Sequence, residues 1–268
     1  MQLDIRAVES LLAFWADAGV DVSFADSPQD RIAQGLEALQ ARTPLPAPQS
    51  GRVQTRGPPA QASGDIEAAR ELAAAAADLA GLAAAIAAFD GCELKFQGAR
   101  QAVFSRGAPD APLMVIGEGP GAEEDAQGAP FVGRAGKLLD KMLAAAGLTG
   151  RVFITNTVFW RPPGNRTPTP AEQAVCAPFL ERAIELVRPR LLLLAGGASA
   201  KHMLGRPEGI LSLRGQWFEW RSSRGDLALP ALPTLHPAFL LRQPAAKKKA
   251  WEDLLTLMQR LDPPQRAT

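Results

Sequence analysis

Residues 112–121 read PLMVIGEGPG: five apolar positions, Pro112 to Ile116, run straight into the turn Gly117-Glu118-Gly119-Pro120-Gly121. A short apolar run closed by glycine and proline reads as a strand buried on both faces and ending in a tight loop. The same pattern recurs downstream at Val152-Phe153-Ile154-Thr155-Asn156, at LLLLAG (191–196) and at Leu232–Leu235. Between these runs lie segments of helical period. One covers 134–146, with Leu138, Leu139, Met142 and Leu143 inward, and another runs to about Val187. The second opens on Thr169-Pro170-Ala171-Glu172, a cap followed by proline at the first helical position and a first-turn glutamate. A short helix is expected from Ala198 to Leu204, a two-stranded element near Gly215–Trp220, and a terminal helix over roughly 245–261. Strands alternating with helices predict a three-layer α/β/α sandwich around a central, mostly parallel four-stranded sheet.

Upstream the pattern changes. Leu11, Leu12, Phe14 and Trp15 line one side of a helix over Leu3–Ala18, and a second short helix is expected after Ser27-Pro28. Residues 43–64 are rich in Pro, Gly and Ser without periodicity, which reads as a linker. Asp65 is expected to cap an alanine-rich helix running to about Phe89. The division is therefore a helical extension (1–42), a linker (43–64) and a main domain (65–268) whose core spans about 91–260.

Composition narrows the class. The chain has 268 residues, 47% hydrophobic and 21% charged, which fits a globular protein rather than a disordered one. The start lacks the basic region and long apolar run of a signal peptide. The alanine-rich run at 71–88 is broken by Asp78 and Gly81, so no membrane partner is expected. Two cysteines, no tyrosine and abundant alanine fit a bacterial cytoplasmic chain with free thiols. Net charge is only +1, yet residues 1–50 carry seven acidic and three basic side chains, while residues 201–250 carry nine basic and three acidic ones. A near-neutral protein of this kind can still present a basic face.

Glu118, Asn156 and His236 each sit at or just after the C-terminal end of an expected strand, the edge where open α/β sheets bind ligands. Taken singly, each residue has a plain structural reading. Gly117–Gly121 can be an ordinary strand-to-helix turn, Phe131 a core residue, Asn156 a turn former, and the run Lys247–Lys249 a solvated face. Glu123, Glu124 and Asp125 can cap a helix, bind a cation or face solvent. The glycine loop lacks both the dinucleotide-binding spacing and the lysine of a phosphate-binding loop, which leaves a nucleotide-processing enzyme with little support.

The motifs GEGPGAEEDAQGAPFVGRAGKLLDKML, VFITNTVFWRPPGNRTPTPAE and LPTLHPAFLLR, in this order and spacing, resemble the family 4 uracil-DNA glycosylases over about residues 91–260. The resemblance implies a uracil-DNA glycosylase fold acting on uracil-containing single- and double-stranded DNA as a monomer, in the cytoplasm at the nucleoid. It implies that Glu118 lies beside the sugar and helps hold the attacking water. Phe131 would stack on the flipped base, Asn156 would read the uracil edge and His236 would face O2 of the leaving group. Gly117, Gly119, Pro120 and Gly121 would shape the pocket, and Arg161, Asn165, Arg166, Leu240, Leu241, Arg242 and Lys247 would meet DNA. The chemistry agrees with these roles. Breaking the glycosidic bond builds positive charge on the sugar and negative charge on the base, which a carboxylate and an imidazole donor can stabilise. A single amide can donate to O4 and accept from N3–H, an arrangement that cytosine's reversed pattern fails to satisfy.

Three departures stand out. The family commonly carries an iron–sulfur cluster on four cysteines, whereas here the corresponding positions are Cys92, Lys95, Trp160 and Cys176. Neither lysine nor tryptophan serves as an iron ligand, so no metal and no cofactor are expected. Ala238 replaces a common serine, and the insertion that marks covalent trapping of uracil-DNA is absent. The expected activity is a monofunctional glycosylase leaving an abasic site; the alternative is a catalytically weak or inactive DNA-binding protein on the same fold.

Overall fold

A computed structural model describes residues 60–263 of the chain. The expected helices at Leu3–Ala18 and after Ser27, and the linker up to residue 59, lie outside the described residues. The elements in order are α1 (Ala60–Ala75), α2 (Leu79–Ala88), β1 (Ser105–Gly107), β2 (Leu113–Gly117), α3 (Ala122–Gln127), α4 (Arg134–Ala145), β3 (Val152–Asn156), α5 (Pro170–Val187), β4 (Leu191–Ala195), α6 (Gly197–Leu204), α7 (Ile210–Leu213), β5 (Phe218–Arg221), β6 (Ala228–Thr234), α8 (Pro237–Arg242) and α9 (Lys247–Leu261). Short 3-10 turns occupy Glu93–Phe96, Pro163–Asn165 and Pro244–Ala246.

The sheet has six strands rather than four, in the order β1-β3-β2-β4-β6-β5. The inner four, β3, β2, β4 and β6, are parallel and coincide with the four apolar runs. Every residue of β2, β3 and β4 is buried, as expected for parallel strands covered on both faces. The two extra strands are antiparallel edges. β1 pairs with β3, and β5, expected as part of a separate two-stranded element, joins the main sheet on β6.

Alternation along the strands sends side chains into two cores. Met114, Ile116, Phe153, Leu192 and Leu194 face α1, α2 and α5, whose Ala69, Leu82, Ile86, Phe179 and Ile184 complete one cluster. Leu113, Val115, Val152, Ile154, Leu191 and Leu193 face Leu139 and Leu143 of α4 and Leu254, Leu257 and Leu261 of α9. The three layers follow from handedness. The crossover from β2 to β3 steps one way along the sheet and the crossover from β3 to β4 steps back across β2. Right-handed connections must then place α4 and α5 on opposite faces.

The alanine-rich helix differs from expectation at both ends. It begins at Ala60, so residues 60–64 are helical rather than linker, and it breaks after Ala75. Asp78 caps a new helix by accepting from the Gly81 amide at 2.7 Å, while Arg182 of α5 donates to the freed Ala76 carbonyl at 2.8 Å. The cap and the arginine satisfy the backbone groups that a break exposes, which alanine's helix propensity cannot do. Helix α5 starts as expected: Thr169 Oγ1 accepts from the Glu172 amide at 3.2 Å, and Glu172 accepts from the Thr169 amide at 2.7 Å.

Candidate active site

A cleft of about 520 Å³ opens at the C-terminal edge of β2, β3 and β6. Glu118, Gly119, Pro120, Gly121, Phe131, Asn156 and His236 all line it, so the expected residues from three separate motifs converge. This is the crevice at which the strand order reverses, on the two sides of β2.

Asn156 closes β3 in register with Gly117 of β2. Its side chain is 1% exposed and its Oδ1 has no hydrogen-bond partner, a costly state for a buried acceptor. Gly117 makes room for it: a Cβ there would lie 2.4 Å from Asn156 Oδ1 and 2.6 Å from the Phe131 ring. Phe131, 6% exposed, lies 5.7 Å from the His236 ring between centroids. Its backbone is left-handed, at φ 54°.

His236 caps α8, its Nδ1 accepting from the Ala238 amide at 3.1 Å. With Nδ1 occupied as an acceptor, the proton of the neutral ring belongs on Nε2. Burial, followed by the nearby Arg242 guanidinium, pushes the imidazole pKa down to about 4, and Glu124 pulls weakly the other way. The ring is therefore a neutral donor across the physiological range. Gly196, at φ 103°, lets β4 end against this ring, since a Cβ there would lie 3.0 Å from His236 Cβ. Behind the ring's strand, Asp253 of α9 accepts from Thr234 Oγ1 at 2.7 Å and pairs with Arg214, which ties the terminal helix to β6.

Several supporting residues carried little or no signal in the sequence. Glu124, left open there among three roles, proves to be a clamp. Its Oε1 accepts from the Val132 and Gly133 amides at 3.1 and 2.9 Å, and its Oε2 from Gly121 at 3.1 Å. These amides are thus engaged internally rather than offered to a phosphate. Thr157 Oγ1 donates to the Glu118 carbonyl at 2.6 Å and accepts from Gln173 Nε2 at 3.2 Å, fixing the backbone from which Glu118 projects. For the first of these the sequence offers only a glutamate three positions after Gly121, the half of a capping box that needs no side chain at the N-cap.

The expected DNA-facing residues divide. Arg242 lines the cleft, Leu241 is 38% exposed and Lys247 is exposed. Leu240 is corrected: it is fully buried with Leu235 and Ala250, and therefore belongs to the core. Arg166 reaches the cleft, but its fork grips Glu172 at 2.8 and 2.6 Å and holds that carboxyl below the usual carboxylate range. Arg161 Nε donates to Asn165 Oδ1 at 2.7 Å, stiffening the loop in which Asn165 is left-handed at φ 55°.

The residues at the four cluster positions do not fit a four-thiolate cluster. Cys92 and Cys176 are buried free thiols with sulfurs 4.0 Å apart, and donation of its S–H to Cys92, followed by burial, pushes the Cys176 thiol up. Trp160 is 1% exposed in the same apolar cluster. Lys95 turns away to the Ala87 and Phe89 carbonyls (2.8 and 3.1 Å) and to Asp90 (2.7 Å). Among the described residues no three His, Cys, Asp or Glu side chains gather as metal ligands, and no helix is long and apolar enough to cross a membrane.

Residues 104–255 match the Uracil DNA glycosylase superfamily, and the chain belongs to that superfamily. Within it, the chain is similar to the Type-4 uracil-DNA glycosylase of Sulfurisphaera tokodaii, 37% identical over 66% of this chain and 82% of the relative. It is also similar to those of Thermotoga maritima, 41% identical over 52% and 71%, and Saccharolobus solfataricus, 39% identical over 63% and 80%.

Proposed function

We propose that the cleft receives a uracil flipped out of DNA and that the chain hydrolyses its N-glycosidic bond, releasing the base and leaving an abasic site for repair. The observation that carries this reading is the unpartnered, buried Oδ1 of Asn156 beside the Phe131 ring, in a cleft that Glu118 and His236 also line. Uracil N3–H is the donor that this acceptor lacks, and O4 can take the amide's own hydrogen. Phe131 supplies the stacking platform that base flipping requires. As the bond to C1′ breaks, negative charge gathers on the base and the neutral His236 Nε2–H donates to O2. Glu118 stabilises the positive sugar and orients the water that attacks it. Among the described residues no lysine lines the cleft to form an imine with the sugar, which supports hydrolysis without strand cleavage.

Contact with DNA is assigned to Leu241 as a wedge into the gap left by the base. Arg242, Arg161, Asn165 and the exposed Lys247 are assigned to the backbone. Three lysines in the first turn of α9 oppose the helix dipole, and a phosphate-bearing partner would relieve that repulsion. Action as a monomer on single- and double-stranded DNA in the bacterial cytoplasm belongs to the same proposal and is supported by the likeness to Type-4 uracil-DNA glycosylases.

The test is incubation with single- and double-stranded oligonucleotides bearing one deoxyuridine, before and after alkali. Wild type should yield alkali-dependent cleavage of both. Asn156→Ala should lose at least about 100-fold, because a binding site deprived of its hydrogen bonds discriminates by that order or more. Glu118→Ala and His236→Ala should also be slow. A wild-type protein that releases no uracil from either substrate would overturn the proposal.

A further inference from the structure

Phe131 holds a backbone conformation, φ 54°, that a bulky residue adopts only when its surroundings impose it. An aromatic platform that must accept a base in one orientation needs its backbone set beforehand. Glu124 holds the amides that follow the phenylalanine, as described above. The carbonyls on either side of its Cα are held by a different group, Arg106, which projects from edge strand β1. Arg106 Nε donates to the Pro130 carbonyl at 2.7 Å and its Nη2 to the Phe131 carbonyl at 3.1 Å. The same Nη2 reaches Asp140 Oδ1 of α4 at 2.7 Å. Gly136 lets this happen, since a Cβ there would lie 1.7 Å from the Phe131 oxygen.

The Pro130 carbonyl lies in the peptide plane before the Phe131 Cα, and the Phe131 carbonyl in the plane after it. One rigid, planar guanidinium bonded to both fixes the relation between those planes, and hence φ and ψ of Phe131. A lysine ammonium, a point donor without a fork, cannot impose that relation as strictly. Arg106 itself does not line the cleft.

We infer that Arg106 is a positioning residue for base capture: it presets the Phe131 platform, and Asp140 orients its guanidinium. The inference rests on the glycosylase reading of the cleft, and its test separates the two. Single-turnover uracil release from a single-stranded oligonucleotide is measured for wild type, Arg106→Ala, Arg106→Lys, Phe131→Leu and the Arg106→Ala/Phe131→Leu double variant. Hydrogen exchange of the peptide spanning 128–134 is followed in parallel. Arg106→Ala should slow release by about 10- to 100-fold, the scale of a small misplacement at a reacting site, and Arg106→Lys should recover part of the loss. In the Phe131→Leu background the same change should cost less than about twofold, because two residues acting as one unit are strongly non-additive. Exchange should quicken in the 128–134 peptide and nowhere else.

An equal loss in both backgrounds, or unchanged exchange in that peptide, would overturn the role of Arg106. A wild type that releases no uracil would instead overturn the glycosylase reading, and the exchange comparison would still decide whether Arg106 holds the loop.

Discussion

The proton on His236 is placed by a single hydrogen bond. Because Nδ1 accepts from the Ala238 amide, protonating the ring would set a new N–H against an existing donor as well as bury a charge. Its pKa of about 4 lies below the ordinary 6.5. Between those values the unfolded chain binds a proton that the folded one refuses. His236 therefore makes the fold less stable as pH descends through that window, with no further loss below it. Under the proposed mechanism the working form is the neutral one. Single-turnover rates between pH 4 and 8 should accordingly show no acid limb near 6.5 from this residue, and one approaching 4. A limb centred near 6.5 in wild type that disappears in His236→Asn would contradict the assignment. The sequence located this histidine but not its proton, since the partner atom is an amide of the helix it caps.

Helix α8 shows how much turns on the orientation of a single element. It is six residues long and carries Leu240 and Leu241 side by side, too short for periodicity to tell inner from outer. Packing against Leu235 and Ala250 takes Leu240 inward and leaves Leu241 out. Leu241→Ala should therefore slow uracil release from double-stranded DNA about 10-fold more than from single-stranded DNA, where no stacked gap needs filling. Leu240→Ala should cost about 2–5 kcal/mol of stability, read in denaturant melts, with no preference between substrates. A reversed pattern would exchange the two roles. Edge strand β1 was equally hidden. Ser105-Arg106-Gly107 has no apolar run, and its place in the sheet comes from backbone bonding to β3.

At the scale of the molecule, the most informative region is the one where Cys92, Trp160 and Cys176 meet. Trp160, Cys92 and Cys176 are built into the core between the sheet and the α1, α2 and α5 layer, continuous with Phe159 and Phe179. Apolar contact there, with the Cys92 and Cys176 sulfurs 4.0 Å apart, ties the 92–96 turn to α5. Trp160→Ala should cost about 3–5 kcal/mol, measured as a shift of the denaturant midpoint at constant slope. A cost below about 1 kcal/mol would mean that the indole is not a structural element there.

Four apolar runs, each followed by glycine or a polar residue, sufficed to establish parallel strands, their order along the chain and the edge at which Glu118, Asn156 and His236 emerge. Those features depend on local pattern, and local pattern is written residue by residue. The tertiary structure alone decided which leucine faces inward, where the histidine keeps its proton, that β1 and β5 close the sheet as edges, and that Glu124 and Arg106 hold the backbone around Phe131 from two sides. Each depends on groups from separate parts of the chain meeting at hydrogen-bonding distance. Arg106 and Asp140 are 34 positions apart, and no periodicity links them before the chain folds.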